Sequence, residues 1–277
     1  DVASHGFVVV AIEHRDGTAP VSVRADGSVV HYKPLKDNVE NPRDRVQEFH
    51  FRNTQLQLRV DEVLNPEHGV LALLEKMNAG DWKSPETGVP SFAGRLDLEN
   101  NLHFSGHSFG SATALASAYS LIKSKGKYAS ALKSCLALDV WMFPIPVDVL
   151  RQPELKDNRQ VRIAFINNEK FQWDKNLERI AELSSSEQVT LKHAAHQTQS
   201  DILVLIPGLV QSFLGLREKA DATHHSIRTP LSALQLSNRM SASFLKGNTC
   251  LHDVSAEDKE ENLLIDRLPI SVPALTR

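Results

Sequence analysis

The chain has 277 residues, 41% of them hydrophobic and 23% charged, with a net charge of −3 at pH 7. That length and apolar content suit one large domain with a substantial core. The small negative charge, with no basic stripe interleaved by aromatics, argues against a nucleic-acid binder. Two cysteines, Cys135 and Cys250, make neither a disulfide framework nor a metal cluster, and this lean thiol content points towards the cytoplasm. The longest apolar stretch, residues 202–210, contains Pro207 and Gly208 and is about half the length that spans a bilayer. No signal peptide or transmembrane segment is visible.

In chain order, residues 7–12 form a continuous apolar run of the kind expected for a strand buried on both faces of a parallel sheet. Residues 21–32 carry Asp26-Gly27 between alternating β-formers, which predicts a hairpin. Residues 34–45 are charged, contain Pro34 and Pro42, and read as an exposed loop. From 51 to 64 the apolar positions Leu56, Val60, Val63 and Leu64 share one helical face. A short helix is expected at 70–74, then a loop with Gly and Pro from 80 to 94.

Residues 102–105 predict a buried strand end, and small residues from Phe109 to Ala116 predict a helix packed closely on a sheet. Further strands are expected at 135–138, 161–166 and 189–191. Ser200 and Asp201 read as the start of a helix over 202–214, stopped by Gly215. Thr229-Pro230 reads as an N-cap and first turn opening a helix to about Lys246. This pattern predicts an α/β architecture over residues 1–250, with 251–277 as a loosely held acidic tail. No internal repeat is evident.

Gly106-His107-Ser108-Phe109-Gly110 is the motif that carries chemistry. It reads G-x-S-x-G, a sharp strand-to-helix turn that presents a serine nucleophile at the top of an α/β sheet. Such a serine needs a histidine to take its proton and a carboxylate to hold that histidine in the right tautomer. In α/β-hydrolases these follow in the order Ser, Asp or Glu, His, on loops beyond strand ends. Asp139 directly follows the strand at 135–138, and His196 follows the strand at 189–191. Asp157 and Asp174 are rival acids, but neither directly follows an apolar strand; His193 is the rival base, inside the strand rather than beyond it. The backbone N–H of Phe109, next after the nucleophile, is the expected oxyanion donor. His14-Arg15-Asp16 resembles a kinase tripeptide without the other kinase motifs and reads as structural. His224-His225 are adjacent, so they share no helix face, and no HExxH occurs: no metal site is expected.

Several stretches together resemble the platelet-activating-factor acetylhydrolase family, in its plasma and intracellular type II forms. They are ASHGFVVVAIEHRDGTA at 3–19, GHSFGSATA at 106–114, LALDVWMFP at 136–144, FINNEKFQ at 165–172 and HQTQSD at 196–201, in the family's order over about 200 residues. The resemblance implies an α/β-hydrolase fold, a mostly parallel central sheet flanked by helices. It puts the catalytic serine, aspartate and histidine at Ser108, Asp139 and His196. It implies calcium-independent hydrolysis of the sn-2 acetyl, short or oxidised acyl ester of phospholipids through an acyl-serine, with no cofactor, at a membrane or lipoprotein surface. Trp141, Met142 and Phe143 then become candidate walls of a short acyl pocket, and Gln197 a candidate site-lining residue beside the base. The alternatives are a general carboxylesterase or lipase of the same fold, or an impaired hydrolase-like binding protein.

Two departures from the family pattern stand out. Position 111 is Ser where the family usually has a second Gly, and a small residue is expected to be tolerated there. Upstream of the segment matching Asp1, the family carries a strand and an H-G-x-G-type loop with a second oxyanion donor. The expectation is therefore of a chain incomplete at its N-terminus, with residues 7–12 as the fourth strand of the fold and the third missing.

Overall fold

In the computed structural model the described residues are 2–82, 84, 88–156, 161–183, 186–200, 205 and 230–265. A hairpin comes first, β1 (Val21–Val23) pairing antiparallel with β2 (Val29–His31). Its turn is the expected one: Gly27 takes a φ of 80°, and Asp26 Oδ1 accepts the Ser28 N–H at 2.9 Å. Glycine is suited to that left-handed position because it has no Cβ to clash.

Helix α1 (Arg45–Leu64) starts earlier than the apolar pattern alone indicates. Asp44 caps it, accepting the N–H groups of Val46 at 2.8 Å and Gln47 at 3.4 Å. A cap of this kind satisfies donors that the helix ladder leaves free. The kinase-like tripeptide clamps this helix. Arg59 Nε donates to Asp16 Oδ2 at 2.6 Å in a pair that is almost fully buried, and Glu62 receives His14 Nδ1 at 2.7 Å and the Arg15 N–H at 3.0 Å. Helix α2 (Val70–Ala79) runs past its predicted end and stops where Gly80 adopts φ 85°.

Strand β3 (Leu102–His107) leads into α3 (Phe109–Ser124), and β4 (Leu132–Leu138) into the short helices α4 (Val147–Leu150) and α5 (Pro153–Lys156). Strand β5 (Arg162–Asn168) is followed by α6 (Asp174–Ala181), and β6 (Glu187–Leu191) by a 3-10 turn, His196–Gln199. Helix α7 (Pro230–Leu245), α8 (Ala256–Asn262) and β7 (Leu263–Ile265) complete the described elements. The five strands stand in the order β3-β4-β5-β6-β7, the first four parallel and β7 antiparallel to β6.

Alternation along the central strands splits the core into two layers. Cys135 and Ala137 of β4 and Ile163 and Phe165 of β5 join α1, α2 and α3 on one face. Leu136, Ala164 and Ile166 point the other way, onto Leu236, Met240 and Phe244 of α7. Both faces are covered, which is why these strands read as unbroken apolar runs.

Two expectations are corrected. Residues 7–12 form no strand: Val8, Val9 and Val10 are 49%, 57% and 41% exposed, and only the ends are anchored, Phe7 edge-on to the His103 ring and Ile12 against the core. An apolar run becomes a strand only where a neighbour accepts its backbone groups, and among the described residues no ladder reaches this one. The acidic segment near 257, expected in a loose tail, instead folds as α8 and feeds β7, where Leu264 registers with Thr190 of β6. The helix expected at 202–214 falls almost wholly outside the described residues.

Candidate active site

Ser108 sits between β3 and α3 with φ 56° and ψ −118°. A non-glycine residue held at positive φ is strained, and such strain needs surrounding contacts to hold it. The contacts are local. Ser108 N–H donates to the Leu138 carbonyl at 2.9 Å, and the Ser108 carbonyl accepts the N–H groups of Ser111 at 3.1 Å and Trp141 at 3.2 Å. Gly106 is required by close approach: a Cβ there would lie 2.2 Å from the Gly110 carbonyl carbon and oxygen. Ser111 ties the turn to β4, its hydroxyl sharing one hydrogen between the carbonyl oxygens of Gly106 at 2.6 Å and Leu138 at 2.9 Å. The Ser111 hydroxyl thus has a positive role that a glycine at this position would leave unfilled. Phe109 opens α3, so its N–H belongs to the first-turn donors that the helix ladder leaves available.

Asp139 follows β4 in a left-handed conformation, φ 45°, with no exposed surface. Buried carboxylates need partners, and this one has four. Oδ1 accepts the Asn168 N–H at 2.9 Å and Gln172 Nε2 at 2.9 Å; Oδ2 accepts Asn168 Nδ2 at 3.0 Å and His196 Nδ1 at 2.7 Å. A carboxylate at Nδ1 places the imidazole hydrogen there and leaves Nε2 as the basic nitrogen. The His196 ring is sandwiched, with Phe171 stacked at 3.5 Å on one side and His107 at 4.4 Å. Its turn is held by Thr198 Oγ1 accepting the Ala195 N–H at 3.0 Å and by buried Gln199 donating to the Ile166 carbonyl at 2.8 Å.

The rivals stand elsewhere. Asp174 is exposed in the first turn of α6; His193 lies beyond the end of β6, not inside the strand as expected, and is exposed and turned to Glu169, which accepts its backbone N–H at 2.7 Å. Asp157 lies outside the described residues, as do His224 and His225. Trp141 packs edge-on to Phe109 at 5.4 Å and stacks on Phe143 at 5.8 Å, so both join the residue after Ser108 in one aromatic wall. Met142, expected beside them, turns inward: it has no exposed surface and packs in the α1–α3 layer. Gln197 is exposed at the rim of the His196–Gln199 turn.

Sequence reasoning singled out neither Asn168, Gln172 nor His107. Asn168 and Gln172 lie in the FINNEKFQ stretch, but nothing local in that stretch says that their amides converge on Asp139. His107, Asp139 and His196 bring potential metal-ligand atoms within 4.8 Å of one another, yet His196 Nδ1 and both Asp139 oxygens already have hydrogen-bond partners.

Comparison with known proteins places the chain. A family model described as "Platelet-activating factor acetylhydrolase, isoform II" matches residues 1–266. The chain is 26% identical to a platelet-activating factor acetylhydrolase from Gallus gallus, over 91% of this chain and 57% of that protein. It is 27% identical to the protein of that name from Canis lupus familiaris, over 95% and 57%. A putative phospholipase A2 from Schizosaccharomyces pombe is 25% identical over 97% and 67%. The chain therefore spans 57% of the length of the first two of these relatives. Among solved structures, a ferulic acid esterase from Streptomyces cinnamoneus superposes with a TM-score of 0.50 at 14% identity, covering 89% of this chain and 62% of that one. That likeness bears on the fold alone, and with the parallel sheet between two helical layers it makes this an α/β-hydrolase fold. With a family match running almost end to end, the chain belongs to the platelet-activating factor acetylhydrolase, isoform II family.

Proposed function

We propose that the protein is a calcium-independent serine hydrolase that cleaves the sn-2 acetyl, short or oxidised acyl ester of phospholipids. The observation that carries this reading is the 2.7 Å bond from His196 Nδ1 to a fully buried Asp139, at the strand end beside the Ser108 turn. In this reading Ser108 Oγ attacks the ester carbonyl carbon while its proton passes to His196 Nε2. The Phe109 N–H meets the developing oxyanion. The carbon–oxygen bond to the glycerol then breaks, and the lysophospholipid leaves with the proton from His196. Water, deprotonated by His196, attacks the acyl-serine; the carboxylic acid departs and Ser108 recovers its proton. The N–H dipole polarises the carbonyl, so no step calls on a metal ion.

Two features support the substrate class. Phe109, Trp141 and Phe143 form an apolar wall fit for an acyl chain, and Gln197 is exposed in the turn that carries His196. Arginines seven residues apart on α1 stand against that wall: Arg45 at 4.3 Å from the Phe143 ring, Arg52 at 5.8 Å from Trp141 and Arg59 at 4.1 Å from Phe109. Arg59 is neutralised by buried Asp16 and Arg45 pairs with Glu48, so it is Arg52, whose guanidinium donates to the neutral Gln55 amide, that favours a substrate bearing an anion, as a phospholipid does. A lipid surface is the partner this implies.

The test is a fluorophosphonate probe on the protein and on Ser108→Ala, followed by turnover of phospholipids with acetyl and with long sn-2 chains, with and without EDTA. Wild type should label and Ser108→Ala should not, with turnover falling by about 10³-fold or more and the acetyl ester preferred in EDTA. Equal labelling of both proteins would defeat the assignment, and preference for long chains would replace it with a general lipase.

A further inference from the structure

His107 has no part in the proton path described above, yet it is the side chain that joins the two halves of the site. It is the last residue of β3, immediately before Ser108, and its Nε2 lies 3.0 Å from the carbonyl oxygen of His196. A carbonyl only accepts, so Nε2 must carry a hydrogen. The contact spans 89 positions of sequence and links the nucleophile's turn directly to the turn that bears the base. The His107 ring also lies 4.4 Å from the His196 ring at a tilt of 30°, while Phe171 stacks on His196 at 17°. His196 is thus confined between two rings, with its Nδ1 fixed by Asp139. Burial, and then the neighbouring His196 charge, hold His107 below the ordinary histidine range; its bond to the His196 backbone and the more distant Asp139 oppose this less strongly. A neutral ring with its hydrogen on Nε2 is the form that makes the observed bond.

We propose that His107 is a positioning residue for His196: its Nε2–H, donated to the His196 carbonyl, sets the distance and angle of the base to the adjacent Ser108. The proposal rests on the reading of Ser108, His196 and Asp139 as the working groups. Misplacement of a reacting group by about 1 Å costs on the order of 10²-fold in rate, so the bond matters if the turn relaxes without it.

Two substitutions separate the bond from the ring. His107→Phe keeps a ring beside His196 and removes the donor; His107→Gln removes the ring and keeps an N–H. The expected result is a kcat lower by roughly 10–100-fold in His107→Phe, with KM within about twofold, and recovery of most of that loss in His107→Gln. A second readout needs no turnover: the proton NMR signal of the His196 Nδ1–H should be retained in His107→Gln and exchange faster with water in His107→Phe. Equal impairment of the two variants, impairment of neither, or a loss confined to KM overturns the proposal. If His107→Phe does not fold, a His107→Gln protein with impaired kcat or faster Nδ1–H exchange overturns it alone. Were wild type to show no labelling at Ser108, the functional reading would fail, and the Nδ1–H exchange would still judge His107.

Discussion

Asp139 shows how a single residue sets the character of this site. Its two oxygens accept four hydrogen bonds from three other segments, the end of β5, Gln172 and His196. Asp139→Asn would present an amide donor to at least one of those donors and disturb the His196 tautomer. The expected outcome is a kcat for a short sn-2 ester lower by about 10⁴-fold, with a matching loss in fluorophosphonate labelling rate. Gln172→Ala removes one of four donors and should cost far less in the same assays. At this scale the sequence speaks unevenly. Ser108, Asp139 and His196 could be put forward from sequence because each lies beyond a strand and carries chemistry that such a position can use, and the bond from His196 Nδ1 to Asp139 agrees with pairing the last two. Asn168, Gln172 and His107 were not, because Asn168 and His107 end different strands and Gln172 lies in the turn after β5, and only the folded sheet brings them to Asp139 and His196.

Among the elements, α1 is the one with most at stake in a single polar contact. Arg59 and Asp16 are both almost wholly buried, and Arg59 also donates to Thr18 Oγ1. Burial pushes the Asp16 carboxyl up, but the hydrogen bonds from Thr18 and Arg59 and the Arg59 charge outweigh it and leave the net shift downward. A carboxyl whose folded pKa lies below its unfolded value adds stability above the unfolded value, near 4, and loses it as pH falls through the folded one. Asp16→Asn should therefore destabilise by about 3–5 kcal/mol at neutral pH, because it strands a buried guanidinium. Denaturant melts at pH 7 and pH 3 test this, with the gap between wild type and variant narrowing at the lower pH. Element prediction from pattern succeeded where both faces of a strand are covered, as in β4 and β5. It failed at residues 7–12, whose composition is just as apolar, because composition does not report whether a neighbouring strand is there to take the backbone bonds. It also failed at α8 and β7, where the acidic run concealed a helix that sets Leu263 against the sheet.

For the molecule as a whole, the sheet is a partition between two apolar layers, one under α1–α3 and one under α7. The α/β class was readable from alternating strands and helices, but the allocation of each side chain to a layer was not. It depends on which residue of each strand points up, and the register fixes that.

The two thiols fall on opposite sides of this partition, Cys135 in the α1–α3 layer and Cys250 in the α7 layer, both without exposed surface. Burial pushes Cys135 up to about 12, and burial followed by the Glu187 charge pushes Cys250 up as well. Neither reacts as a thiolate while the fold holds. Each is therefore a clock for the opening of its own layer. In limiting denaturant with a chromogenic thiol reagent, one shared rate for both cysteines is expected if the sheet and its two coverings open together. A faster rate at Cys250, resolved by mass spectrometry of the labelled peptides, would show α7 lifting away while the Ser108 turn stays packed on the other side.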